Sequence, residues 1–275
     1  MATAVKGTNT KKTQPTVDEE DEDRDFVTAV SRAFSILRCF GRSHRIQGNK
    51  ELAERTGLPK STIARLTHTL TRLGYLEYLP GLEKYQLGVG VLALGQSYLA
   101  GLDVRSVARP SMQQLADHAQ ATVSLGAPSG HHMVFLEICH GNPMFLLRAQ
   151  VGERVPHGMT ALGRAYQVAL PEDELQRFAA EYRKLVTAEE WEKLKAEAEQ
   201  AVRDYNKFGF CFSLGDWNRD VYAVGVPMVS ENGRILAFSC SGPAQTMTRK
   251  RLLSDIGPRL IELRDRVKEQ LGGSF

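Results

Sequence analysis

NKELAERTGLPKSTIARLTHTLTRLGYLEYLPGLEKYQL, residues 49–87, reads as a helix-turn-helix followed by a β-hairpin wing. Asn49 is a good N-cap for a short helix over 50–56, because its side chain can accept a hydrogen bond from a first-turn N–H. Gly57 falls where that helix must end, and glycine takes the left-handed turn conformation without a steric penalty. Leu58-Pro59 leads into a second helix, since proline is tolerated in a first helical turn. There Ile63, Leu66, Leu70 and Leu73 recur at steps of three and four, giving one apolar face. Ala53, Gly57 and Ile63 stand at about the offsets that two helices crossing over a tight turn require. The other face carries Lys60, Ser61, Thr62, Arg65, His68 and Thr69. These side chains suit phosphates and base edges, and they cluster where a recognition helix meets the major groove. Two β-prone runs, 75–78 and 84–87, flank the turn-rich Leu79-Pro80-Gly81-Leu82-Glu83 and form the wing, with Lys84 as a further DNA candidate. The plainer alternative is a small helical subdomain with a solvated basic face.

Charge divides along the chain in the same sense. Residues 1–25 hold four Lys/Arg against seven Asp/Glu, residues 26–88 hold ten against four, and the remainder balances at 21 each. Positive charge thus gathers in the segment that resembles a DNA reader, as binding to phosphates by counterion release requires. The acidic run 18–23 lies in a stretch without periodic apolar positions, read as a disordered tail over 1–25.

A length of 275 residues suggests two domains. No apolar run approaches the ~18 residues that span a bilayer, and the polar N-terminus has no signal-peptide core. No membrane partner and a cytoplasmic location are therefore expected. Cys39, Cys139, Cys211 and Cys240 have neither paired nor metal-ligand spacing and read as reduced, mostly buried thiols.

Outward from the wing, Phe26, Val30, Phe34, Leu37 and Phe40 mark one face of a helix ending at Gly41, expected to pack across the helix-turn-helix within a domain of 26–87. Residues 88–102 have an apolar helical pattern suited to a linker helix, assigned 88–103. So apolar a helix is expected to pack on a copy of itself. Another helix over 104–119 has Val107, Met112, Leu115 and Ala119 as core positions. Strand-like runs follow at 122–127, 132–139 and 144–150, helices at 160–170, 172–180 and 188–206, then strands at 210–214, 222–229 and 234–241. Ser230-Glu231-Asn232-Gly233 joins the last two as a hairpin, and an amphipathic helix over 248–271 closes the chain. Strands in two groups with helices between and outside predict an α+β domain on an antiparallel sheet over 104–275.

Four motifs in order carry a family resemblance: ELAERTGLPKSTIARLTHTLTRLGYLE (51–77), YQLGVGVLALG (85–95), GERVPHGMTALGRA (152–165) and GRILAFSCSGP (233–243). The first is shared with other winged-helix families; together they resemble the IclR family of bacterial transcriptional regulators, over essentially everything after residue 25. The resemblance implies a winged helix-turn-helix, a linker helix and a GAF-like effector domain, acting as a homodimer or dimer of dimers on palindromic operator DNA. It implies a small organic acid effector and control of a catabolic pathway, with RNA polymerase a candidate further partner. Carried over by position, the pocket would be lined by Ala161, Leu162, Ser213, Val221, Ala223, Ser239 and Ser241. Two departures stand out: Ser213-Leu214 occupies positions that are commonly acidic in the family, and Arg164 replaces the usual lysine.

The same residues have a direct chemical reading. Ser239 and Ser241 alternate on a strand and face one way, so their hydroxyls could meet a carboxylate or phenol in an apolar pocket. The helix start near Thr160 could offer free N–H groups to an anion, and Phe208, Phe210, Phe212 and Trp217 could wall an aromatic ligand. Against this, the serines could satisfy backbone groups while Thr160 caps its helix. His131, His132, His140 and His157 lack carboxylate or cysteine spacing to complete a metal site and read as loop residues. No catalytic elbow, phosphate loop or dinucleotide fingerprint occurs, so no cofactor, metal or catalytic residue is expected. A regulator is the favoured reading. A small-molecule carrier or enzyme fused to a vestigial DNA module is the alternative.

Overall fold

In the computed structural model, residues 26–41, 43–141 and 149–274 are described. The expected tail over 1–25 and most of the expected strand at 144–150 lie outside them; Ala149 and Gln150 have no regular structure. The chain divides into two compact units, Met1–Gln96 and Ser97–Phe275, with the boundary inside a helix.

The first unit contains α1 (Thr28–Leu37), α2 (Asn49–Thr56), α3 (Lys60–Arg72) and a hairpin of β1 (Leu76–Leu79) and β2 (Lys84–Leu87). Helix α4 (Val89–Ala100) follows. Gly57 ends α2 at φ 68°, the left-handed turn that its sequence position requires. Asn49 lies inside the first turn rather than capping it. Gly48 precedes the helix, and its N–H donates to the Glu51 carboxylate at 3.0 Å. Ile36, Leu52, Ile63, Leu70 and Leu76 are fully or almost fully buried and form the core.

Two expected apolar faces are partly corrected. Leu73 is exposed because α3 ends at Arg72, while Thr67 is buried and donates its hydroxyl to the Ile63 carbonyl at 2.9 Å. In α1 the core-facing residue is Ile36, with Ala33 and Leu37 beside it, whereas Val30 and Phe34, and Phe26 just before the helix, face solvent. Of the five expected positions Leu37 and Phe40 do pack on the core, but α1 ends at Leu37 rather than near Gly41, and the face it buries is centred on Ala33 and Ile36. Its other apolar stripe stays uncovered in the single chain. Helix α4 has no buried residue, and Val89, Leu92, Leu94 and Tyr98 are largely exposed.

The second unit is an α+β domain. After α5 (Asp103–Ala119) come β3 (Thr122–Ser129), β4 (His132–His140) and β5 (Arg154–Pro156), the last not anticipated. Helices α6 (Ala161–Val168), α7 (Glu172–Arg183) and α8 (Ala188–Phe208) lead to β6 (Cys211–Leu214), β7 (Val221–Val229) and β8 (Ile235–Pro243). The strands form one antiparallel sheet in the order β5-β4-β3-β8-β7-β6. One face buries Val123, Leu125, Val224, Val226, Leu236 and Phe238 against α5 and the C-terminal helix. The other packs Met133, Phe135, Ile138 and Ala237 against Leu162 and Ala165 of α6. The closing helix is not continuous: α9 (Arg249–Arg251) widens into a π turn (Leu252–Ile256) before α10 (Gly257–Gln270). Pro258 has no N–H to give to the preceding turn, and the widened turn absorbs that gap.

Candidate functional site

Two surfaces collect the candidate residues, one in each unit. On α3 the buried Ile63, Thr67 and Leu70 hold the helix on α1 and α2. Lys60, Ser61, Arg65, His68 and Thr69 are exposed on its outer side, and Thr62 is half-buried. Thr69 donates its hydroxyl to the Arg65 carbonyl at 3.0 Å, which spends its proton within the helix. Lys84 is less free: its Nζ lies 2.6 Å from Glu51 Oε1. The bonds from Lys84 and from the Gly48 N–H hold the Glu51 carboxyl below the usual range. The pair ties β2 to the start of α2, so a phosphate reaching Lys84 must compete with Glu51.

In the second unit the α6 side of the sheet gathers the effector candidates. Register places Thr122, Ser241, Ala223 and Ser213 in one row across four strands, and Ser124, Ser239, Gly225 and Cys211 in the next. Ala161, Leu162, Ser213, Ala223 and Ser239 are buried, while Val221 and Ser241 are half-buried. Gly225 is required here: a Cβ on it would collide with the Ala161 carbonyl, so α6 lies directly on β7. Ser239 Oγ is 2.8 Å from Ser124 Oγ, a pairing across strands that the sequence did not suggest. Two hydroxyls sharing one hydrogen bond keep one O–H for a third group. Ser213 instead donates to the Met159 carbonyl at 2.8 Å and retains only acceptor capacity.

Several sequence expectations change at this site. Thr160 caps α6, accepting from the Gly163 N–H at 3.1 Å while donating to the Pro156 carbonyl, so that N–H is not open to an anion. Phe208, Phe210 and Phe212 belong to the core on the opposite face, their rings packed on one another. Trp217 lies exposed in the β6–β7 connection. Arg164, by contrast, is a hub. Its buried guanidinium donates to the carbonyls of Gly158 and Phe212 and to the carboxylates of Glu197 and Asp216, at 2.7–2.9 Å. The acid missing at Ser213-Leu214 is thus supplied by Asp216, already matched by an arginine.

The loop reading holds for His131 and His157, which lie in turns, and fails for the other two histidines of the group. His132 and His140 terminate β4, and the His140 ring bonds to the Thr122 hydroxyl at 3.0 Å. His157 is fully buried, with the Tyr166 and Phe178 rings 5.1 and 5.0 Å away, and the His131 ring lies tilted against Phe178 and Tyr182. No group of His, Cys, Asp and Glu among the described residues could hold a metal ion. Burial pushes the Cys211 and Cys240 thiols up to about 12, which removes the thiolate a nucleophile needs. A cleft of about 200 Å³ between Tyr98, Tyr166, Glu174 and Arg234 contains none of the effector candidates. The sequence marks Arg164 but not its partners, and it marks neither Ser124 nor Glu137, which meets Arg105 and Arg109, because all these partners are remote in sequence.

A winged helix-turn-helix joined by one helix to an α+β sheet domain is the organisation of a DNA-binding regulator with a second, sensing-type domain. The chain belongs to the IclR family of bacterial transcriptional regulators. The IclR helix-turn-helix domain matches residues 29–80, and the bacterial transcriptional regulator IclR C-terminal domain matches residues 96–267. Among its relatives, the HTH-type transcriptional regulator TsaQ1/TsaQ2 of Comamonas testosteroni is 31% identical over 247 residues, 89% of this chain and 88% of that one. The crystal structure of an IclR family transcriptional regulator from Brucella abortus is 40% identical, with a TM-score of 0.85 over 94% of this chain and 100% of that one. An IclR homolog from Microbacterium hydrocarbonoxydans, complexed with 4-hydroxybenzoate, shares the fold with 20% identity and a TM-score of 0.68, over 90% and 100% of the two chains. The relatives are regulators, not enzymes.

Proposed function

We propose that this regulator binds a palindromic operator as a homodimer or dimer of dimers in the cytoplasm. A small organic acid, of which an aromatic one is the type considered, controls it, and its targets serve a catabolic pathway. The observation that carries the DNA reading is the division of α3: Ile63, Thr67 and Leu70 are buried, and Lys60, Ser61, Arg65 and His68 are left facing outward. Arg65 is the base-reading candidate, because a guanidinium pairs bidentately with guanine. Lys60, Ser61 and Thr62 position the helix on phosphates. One such helix covers only a few base pairs, so a symmetric operator needs two. Phe26 just before α1, Val30 and Phe34 on α1, and Leu92 and Leu94 on α4 are uncovered and supply apolar surface for that pairing.

For the effector, the free O–H of the Ser124–Ser239 pair suits a carboxylate, and the Ser213 oxygen suits a ligand hydroxyl. The 4-hydroxybenzoate bound by the Microbacterium relative has both groups. The deciding experiment is footprinting on DNA upstream of the chain's own gene, wild type against Arg65→Ala. The variant should lose about 1–3 kcal/mol and relax specificity at one base pair. Unchanged affinity and footprint in Arg65→Ala would remove it from the reading surface.

A further inference from the structure

The last turn of α4 is tied to the scaffold of the second unit at two places. At a helix C-terminus the final carbonyls lack helical partners. Here the Leu99 carbonyl accepts from Arg105 Nη1 at 3.4 Å and from the Leu102 N–H at 3.3 Å. The other amino group of Arg105 lies 3.0 Å from Glu137 Oε2, and Arg109 bonds the second Glu137 oxygen at 2.5 Å. The Glu137 side chain is 7% exposed, and its carboxylate is held by these two arginines and by the Ile138 N–H at 3.2 Å. At the second place Arg234 donates to the Tyr98 hydroxyl at 3.2 Å.

Both ties lead to the α6 side of the sheet. Glu137 pairs with Leu125 and Phe135 with Gly126, so the β3–β4 ladder carries a bulge at Leu136, next to Glu137. On the opposite face a Cβ at Gly126 would lie 2.7 Å from Leu162, so Leu162 rests against the bulged ladder. Arg234 directly precedes β8, the strand of Ser239 and Ser241.

We propose that Arg105, Glu137 and Arg234 are positioning residues. They fix the direction in which α4 leaves the effector domain, and they transmit to it any shift of Leu162 or β8. This rests on the reading above, in which that face holds the effector and α4 spaces the recognition helices. The ties are polar and one lies at the surface, so they can shift without dismantling the core. A bulge is a place where a ladder changes register in steps rather than continuously.

The test uses the full chain as wild type, Glu137→Gln, Tyr98→Phe and the double variant. Glu137→Gln keeps an acceptor and removes the charge. Tyr98→Phe removes one half-exposed hydroxyl and leaves packing intact, so it remains informative if Glu137→Gln fails to fold. Amide exchange over residues 97–102 should quicken in each variant, by about tenfold in the double variant. Affinity for the footprinted two-half-site DNA should fall about tenfold, while affinity for an oligonucleotide with one half-site stays unchanged. Equal losses on both DNAs would show a merely structural role and overturn the proposal, as would unchanged exchange. If the wild type bound neither DNA, the regulator reading would fail and the role in spacing with it. The exchange measurement would then still decide whether the ties anchor α4.

Discussion

Acid should destabilise the effector domain through one buried imidazole. His157 has no exposed surface, and neither ring nitrogen is within hydrogen-bonding geometry of a partner. Burial pushes its pKa down from 6.5 to about 4, reinforced by His132 and His131 and opposed by the nearby Gly130 backbone. The folded pKa lies below the unfolded one, so the unfolded chain binds the extra proton first as pH falls. The contribution of neutral His157 is therefore intact above the unfolded pKa, declines through the interval down to about 4, and is fully lost below it. A shift from 6.5 to about 4 corresponds to about 3 kcal/mol in all, of which about 2 kcal/mol is lost between pH 7 and pH 5. Trp191 and Trp217 both lie in the second unit, so tryptophan fluorescence reports its unfolding. Urea unfolding at the two pH values, wild type against His157→Phe, isolates this histidine, since the paired carboxylates titrate alike in both proteins. Phenylalanine keeps a ring against Tyr166 and Phe178 and removes the titration. Wild type should lose about 2 kcal/mol more than the variant over this interval. Parallel losses in the two proteins would refute the assignment of acid sensitivity to His157.

Replacing Arg164 by Met should destabilise the second unit by about 3 kcal/mol, at the low end for a broken buried ion pair because Asp216 is 28% exposed; urea unfolding measures it, and Arg164→Lys should recover part of the loss. Placing charge on the apolar stripes with Phe34→Asp and Leu92→Asp should shift the chain toward monomer in sedimentation. Operator affinity should fall by about tenfold or more; an unchanged oligomer would place the interface elsewhere. Ser124→Ala with Ser239→Ala removes the one free hydroxyl proton of that pair. Calorimetric titration with 4-hydroxybenzoate should show tighter binding by wild type than by the double variant, by about tenfold for a lost hydrogen bond to a charged group.

What the sequence shows and hides at these sites follows from how far each decisive contact reaches. Gly57, the α3 pattern and the wing turn act within a few residues, so the DNA-reading unit could be assigned from local rules. The α1 face could not, because Phe34 and Ile36 belong to two apolar stripes of one short helix, and only the packing of α2 and α3 selects Ile36. The Ser124–Ser239 pair joins residues 115 apart through the β3–β8 register, which no local pattern reports. Arg164 likewise meets Glu197 and Asp216, 33 and 52 residues away. Side chains alternate along a strand, so Phe212 and Ser213 in β6 cannot face the same side. If Ser213 faces α6, Phe212 must face the α5–α10 core, where it packs with Phe208 and Phe210. The aromatic wall expected of the pocket is therefore part of the domain's opposite core. On the α6 face, the aromatic rings come from Phe135 and Tyr166 instead.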